Sequence, residues 1–164
     1  MKHHMIRYGM VILLAGLAAS QANAGQSSRE QHIELISYSF GCSQGQTGRI
    51  SITLARSGKL RLSDDSVSAR IQLLDTEGEV IAESDKIKVA PGQTRYWDVA
   101  RDLLPASGEP GGRLQLRARI LVTTLSADLD PQTLMPTIEV IDTITGSTIY
   151  QAGKRFLIFV QGPQ

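Results

Sequence analysis

Alternation of apolar and polar residues is clearest between Arg113 and Thr123. Every second residue there is apolar, and the intervening residues are polar except Leu121. Successive side chains of a strand point to opposite sides, whereas a helix would scatter these residues around its axis. We therefore predict a strand with one dry face, placed at the centre of an antiparallel sheet. The dry face comprises Leu114, Leu116, Ala118, Ile120 and Val122.

Other short stretches have apolar residues at strand spacing, and turn residues separate them. The adjacent Leu35-Ile36 predicts a bulge in the first of them, and Ser84-Asp85 predicts a bend in the fourth. Asp75–Gly78, Pro91-Gly92 and Thr143–Gly146 predict tight turns. This spacing predicts an all-β, antiparallel sandwich of about seven to nine strands. The predicted strands beside the central one are Ile33–Phe40, Arg49–Ala55, Ser66–Leu74, Glu79–Val89, Thr94–Val99, Pro136–Asp142, Ser147–Tyr150 and Phe156–Val160.

The N-terminus has the layout of a secretory signal peptide. Lys2 and Arg7 form a basic start, Met10–Ala19 is apolar, and Ala22-Asn23-Ala24 is a small-x-small cleavage site. The apolar run is shorter than the ~20 residues that span a bilayer, which disfavours a membrane anchor. We therefore expect an exported protein, located in the periplasm, at the cell surface or outside the cell. The predicted divisions are a signal peptide over 1–24, a flexible segment over 25–32 and a sandwich domain over 33–164.

Charge and cysteine content narrow the classes further. The chain carries a net charge of +1, and loss of the basic leader leaves it close to neutral, so no nucleic-acid surface is predicted. After the leader, no apolar segment is long enough to span a membrane. The only cysteine, Cys42, has no internal disulfide partner. We favour a buried thiol, with an intermolecular bridge as the alternative.

Four segments carry a family resemblance: Asp75–Gly78, Val89–Gln93, Leu114–Ala118, and Pro136–Asp142 with Thr145-Gly146. In this order they resemble small exported bacterial domains of immunoglobulin-like or fibronectin-like build. The resemblance covers Ile33–Val160 and implies an immunoglobulin-like β-sandwich. These domains have no assigned activity, so the resemblance transfers no catalytic residue. The paired cysteines of antibody-type domains are missing here.

Candidate chemistry is sparse. Beyond the leader the chain has a single histidine, His32, so a site of His and Cys ligands for a transition metal is not expected. Asp128 with Asp130, or Asp64 with Asp65, offers carboxylates for calcium, but aspartates that cap turns are the favoured interpretation. A His32–Cys42 nucleophilic pair lacks an orienting partner, and no Gly-x-Ser-x-Gly elbow occurs. We predict no catalytic, cofactor or metal residues.

Surface residues are better candidates. Arg113, Arg117 and Arg119 form a row on the polar face of the central strand, interpreted as an ion-paired face in preference to an anion site. Tyr96 and Trp97 are adjacent, so one is expected in the core and the other exposed at an interface.

The last predicted strand, Phe156–Val160, is apolar on both faces. We favour a central core strand; the alternative is a sheet edge that pairs with another chain, through residues such as Phe156 and Phe159.

These observations predict an exported, non-enzymatic sandwich that serves as a protein-interaction or structural module. Its partner is expected to be another protein or its own copies, with no small-molecule ligand. One alternative is a subunit of a surface fibre assembled by strand addition, in which Ile33–Phe40 or Phe156–Val160 leaves its own sheet. Another is a small secreted hydrolase.

Overall fold

The computed structural model describes residues 30–56, 66–105, 112–126, 129–153 and 156–161. Eleven strands lie in these ranges, with 3₁₀ turns at Arg101–Leu103 and Pro131–Thr133. No helix among the described residues is long and apolar enough to cross a membrane. The strands are β1 (Gln31–Ser37), β2 (Phe40–Cys42), β3 (Gln46–Leu54), β4 (Val67–Leu74), β5 (Val80–Glu83), β6 (Ile87–Val89), β7 (Thr94–Ala100), β8 (Leu114–Thr124), β9 (Leu134–Asp142), β10 (Thr148–Gly153) and β11 (Phe156–Gln161).

Two antiparallel sheets pack face to face, which confirms the predicted all-β sandwich. The first sheet has the order β11-β1-β8-β4-β5, with β2 continuing β1 along β8 and β6 continuing β5 along β4. The second has the order β10-β9-β3-β7. Strand β8 is the middle strand of the larger sheet, where the sequence pattern places it.

The core lies between the sheets and is built from the alternate residues of each strand. Ile120 of β8 is fully buried, and its register neighbours Leu35 of β1 and Ile71 of β4 are fully buried as well. Ile50 and Ile52 of β3 face them from the second sheet and are equally buried. Burial of such side chains contributes about 1.5–3 kcal/mol each, so this layer is a main source of stability in a protein without a disulfide.

Two predicted strands are each divided in the structure. The stretch Ile33–Phe40 forms β1 and β2 with an irregularity at Ser37–Ser39, so the bulge lies beyond the predicted Leu35-Ile36. The stretch Glu79–Val89 forms β5 and β6, with the predicted bend at Ser84-Asp85. Each break withdraws a backbone partner from the strand beside it.

A serine replaces the missing partner at each break. The Ala118 N–H of β8 donates to the Ser37 hydroxyl at 2.8 Å, and the Ile71 N–H of β4 donates to the Ser84 hydroxyl at 3.0 Å. Both serines are buried. Because an unpaired buried N–H costs about 1–3 kcal/mol, these hydroxyls allow the breaks to exist beside the core.

The turns follow the predicted chemistry. Gly78 and Gly146 have φ values of +93° and +69°, a backbone conformation that residues with a Cβ rarely adopt. The Asp142 carboxylate accepts from the Thr145 N–H at 2.8 Å and from its hydroxyl at 3.0 Å. Both bonds lower the pKa of Asp142, and the bond from the Thr145 backbone N–H has the larger effect. Pro136 was predicted as the first residue of its strand but is the third. The described pairing of β9 with β10 ends at Thr137, so no described β10 residue lies opposite Pro136.

Candidate functional site

The position of β11 corrects the favoured interpretation of Phe156–Val160 as a central core strand. It lies at the edge of the larger sheet, pairs with β1, and has no described strand on its other side. The run is apolar on both faces, a pattern that fits either a strand packed on both sides or an edge strand that pairs with another chain. Only the strand order separates these possibilities.

Most of the β11 edge is exposed. Leu157, Ile158, Phe159 and Val160 are 43–50 % exposed, while Phe156 is partly buried against the core. The register with β1 runs without a shift from Ser37 opposite Phe156 to His32 opposite Gln161. The strand is therefore regular, and it contains no charged residue, proline or glycine.

The two faces of β11 have different surroundings. Phe156, Ile158 and Val160 are opposite the inward-facing Ser37, Leu35 and Ile33 of β1, so they continue the apolar side of the sheet. Leu157 and Phe159 are on the outer face, opposite Ile36 and Glu34. An added strand would meet apolar side chains on both sides.

The other described edges carry features that oppose strand addition. Edge β5 and β6 is short, broken and charged, with Glu83 and Lys88. Edge β7 has Arg95 opposite Ile52, which points a charge toward the inward side of the sheet. Edge β10 has a register shift at Thr148/Tyr150. Strand β11 has none of these protections.

Tyr96 and Trp97 divide as predicted. Trp97 packs against the core, and Tyr96 is 59 % exposed. The Arg49 guanidinium lies 4.5 Å from the Tyr96 ring centroid and forms a two-bond pair with Asp98, at 2.7 and 2.8 Å. Because Tyr96 is already covered by Arg49 on one face, it is a weaker contact candidate than β11.

Each of the three arginines in the row contacts a different neighbour. Arg119 Nε donates to Gln72 Oε1 at 2.7 Å, and its Nη1 is 3.8 Å from Glu34 Oε1. Arg113 lies over Gly41, where an added Cβ would fall 1.7 Å from its Nε. Arg117 reaches toward Gly78, where an added Cβ would lie 3.4 Å from its guanidinium. The three cations thus serve separate neighbours and do not converge.

The outer face of the larger sheet also has a depression of about 330 Å³. It is lined by Leu121, the one apolar residue on the otherwise polar face of β8. Charges of both signs surround it, and two of them are paired elsewhere: Arg70 with Glu83 at 3.2 Å, and Glu34 with Arg119. This mixed lining favours no ligand class. The lining also includes the polar residues His32, Ser68 and Lys86.

The geometry separates the two residues of the nucleophilic pair, His32 and Cys42. His32 is opposite Thr123 and Cys42 is opposite Leu114 on the same strand, nine positions apart. At a rise of ~3.3 Å per residue this is about 30 Å, too far for a catalytic pair. Cys42 is free and buried, which confirms the favoured interpretation, and burial raises the pKa of its thiol.

We expect the Cys42 thiol of the folded protein to react with Ellman's reagent at pH 8 at least ~100-fold more slowly than in denaturant, because only the exposed thiolate reacts. Burial raises the pKa of this thiol, so its contribution to stability is fully present below the ordinary thiol pKa and is lost as the pH rises through the folded pKa. Ser39→Cys in a Cys42→Ala background is the exposed control and should react rapidly. Equal rates for the two thiols in the folded protein would contradict burial.

Metal ligands are not gathered in the described part of the chain, where no group of three His, Cys, Asp or Glu residues converges. The Asp130 carboxylate accepts from the Gln132 N–H at 2.9 Å and so caps a 3₁₀ turn. Asp64, Asp65 and Asp128 lie outside the described residues.

The sequence pattern points to Phe156 and Phe159 as contact residues but does not identify Leu157, Ile158 and Val160 as surface residues. A signal was present: five consecutive apolar residues without a charge. Alternation could not reveal it, because both faces of the strand are equally apolar.

Similarity to known proteins adds nothing to this geometry. The resemblance to immunoglobulin-like and fibronectin-like domains stays a prediction, whereas the β-sandwich is a property of the structure. The chain matches no protein-family model, and no curated protein and no solved structure matches it.

Proposed function

We propose that this protein is an exported, non-enzymatic module of the periplasm or cell surface that binds another protein chain by strand addition at β11. The supporting observation is the regular, uncharged and half-exposed β11, which alone among the described edges lacks a protecting feature. The leader-like residues 1–24 support export.

Strand addition suits this edge for two physical reasons. The outer side of an edge strand presents a row of unpaired N–H and C=O groups, which another extended chain satisfies. The exposed half of each apolar side chain is then removed from water, at roughly 25 cal/mol per Å². Backbone bonds thus supply affinity, and the apolar pattern selects uncharged partners.

Assembly into a surface fibre is a second candidate that the same edge favours. The described β1 and β11 both remain in their own sheet and pair with each other. A fibre would therefore use the free side of β11, without the departure of either strand from its sheet.

Photo-crosslinking in the native cells tests the proposed function. A photo-reactive phenylalanine analogue at Phe159 should give crosslinked protein adducts in the envelope or medium, because that side chain is 48 % exposed beside the free edge. The same analogue at Ile149, an exposed apolar residue on β10, is the matched control and should give few. Mass spectrometry of the isolated protein should find Gly25 at its N-terminus. Absence of adducts specific to position 159, or recovery only from the cytoplasm, would overturn the proposal.

A further inference from the structure

We infer that the chain seated on β11 is the β11 of a second copy, paired antiparallel about a two-fold axis at Ile158. This inference rests on the proposed strand addition and names its partner. The result is a homodimer in which the two larger sheets become one continuous sheet across the axis.

Symmetry limits the possible registers. A two-fold axis perpendicular to the sheet keeps the inward faces of both copies on one side, so each residue must oppose one from the same face. The axis must therefore lie midway between two copies of the same residue, so that one residue of β11 opposes itself. The inward residues Phe156, Ile158 and Val160 form one set, and Leu157, Phe159 and Gln161 form the other.

Only one of the central registers matches every apolar residue with another. With the axis at Ile158, Phe156 opposes Val160 of the second copy, Leu157 opposes Phe159, and Ile158 opposes itself. An axis at Phe159 would place Leu157 opposite the polar Gln161, and an axis at Leu157 would leave Phe159 and Val160 without a partner in the described β11, which begins at Phe156. The register at Ile158 is therefore favoured.

A second copy fits better than the other described strands. A complementary strand needs five consecutive apolar positions and no charge, because a charge would lie against the apolar side chains of β11 and lose part of its contact with water. Strand β11 meets this requirement, whereas the edges of β5, β6 and β7 carry Glu83, Lys88 and Arg95. No like charges oppose each other in a β11 pair.

The contact is small, which sets the expected affinity. If each of the four exposed residues has on the order of 150 Å² to bury, half of that amounts to roughly 300 Å² per copy. Stable interfaces bury about 800 Å² per partner, so the dimer should be weak and dissociate on dilution. We expect monomer near ~1 µM and mostly dimer near ~1 mM, the range of weak affinities.

Sedimentation velocity across this range tests the dimer, using the protein as an exporting host processes it. Ile158→Lys should remain monomeric at the highest concentration, because two lysines would face each other at the axis. Ile149→Lys on the β10 edge is the control and should dimerise like the wild type. Circular dichroism checks that both variants are folded. A wild type that stays monomeric, or a dimer that survives Ile158→Lys, would overturn the inference.

Cysteine crosslinking tests the register without a destabilising charge. In a Cys42→Ala background, Ile158→Cys should form a disulfide-linked dimer under mild oxidation, because opposed residues have Cα atoms ~4.5–5.5 Å apart. Phe156→Cys alone should not, because its two copies lie four residues apart, about 13 Å. A mixture of Phe156→Cys and Val160→Cys proteins should form the mixed dimer. Equal crosslinking at positions 156 and 158 would contradict the register.

The two proposals fail in different ways. If the purified protein is monomeric but position 159 crosslinks to a different protein in cells, strand addition stands and self-pairing is wrong. If position 159 crosslinks to nothing in cells, the proposed function itself is wrong.

Discussion

Ile120→Ala is expected to lower the free energy of unfolding by about 2–5 kcal/mol. Ile120 is fully buried in the middle strand, between Leu35 and Ile71 on the neighbouring strands, so the shortened side chain leaves a cavity that its neighbours cannot easily fill. A domain of this size is stable by about 5–15 kcal/mol, so the loss is a large fraction of the total. Urea titration monitored by the fluorescence of Trp97, the only tryptophan, measures it.

The control for this prediction is Ile144→Ala. Ile144 lies in the turn after β9 and is 91 % exposed, so its truncation should change the unfolding free energy by less than ~0.5 kcal/mol. The dependence of the unfolding free energy on urea should be the same for both variants, since neither changes the surface that unfolding exposes. A loss at Ile120 as small as that at Ile144 would contradict the assignment of the core.

Ser37→Ala is expected to lower the free energy of unfolding by about 1–3 kcal/mol, although it removes only one oxygen. The Ser37 hydroxyl accepts from the buried Ala118 N–H at 2.8 Å, where β1 gives way to β2. Without it, that N–H remains in the core with no partner. Hydrogen exchange should show the effect as a faster exchange at Ala118 than at Ile120.

Ser39→Ala provides the matched control, because Ser39 is exposed and lies two residues away. Its unfolding free energy should stay within ~0.5 kcal/mol of the wild type. Equal stability of the two variants would mean that the bond contributes nothing and that the irregularity is satisfied in another way. Ser84→Ala should behave like Ser37→Ala, because the Ser84 hydroxyl accepts from the Ile71 N–H at the second break.

Ser37 connects the fold to the candidate site. Strand β1 pairs with β8 on one side and with β11 on the other, and the pairing with β11 extends over six register pairs that include Ser37 opposite Phe156. A weakened Ser37 bond should therefore loosen the strand that supports the β11 edge. The site depends on the regularity of β1 as much as on the residues of β11.

Local sequence patterns are enough to predict which residues of the middle strand face the core. Period-two burial is a local property of an extended chain, so the alternation from Leu114 to Val122 was sufficient to predict the middle strand and its dry face. Asp75–Gly78 and Thr143–Gly146 were predicted as turns for the same reason, since positive φ angles and aspartate caps act within a few residues. The separation of Tyr96 from Trp97 also follows from strand geometry alone.

The tertiary structure decided the order of the strands, and with it the surface. Strand order depends on pairing between residues far apart in the chain, such as Leu35 opposite Ile158, and alternation carries no information about this pairing. For this reason the apolar Phe156–Val160 was expected in the core and lies at an edge. The three arginines diverge because their neighbours Glu34, Gln72, Gly41 and Gly78 come from other strands and turns. Local patterns specify which side of a strand is dry; only pairing specifies which strand is left without a neighbour.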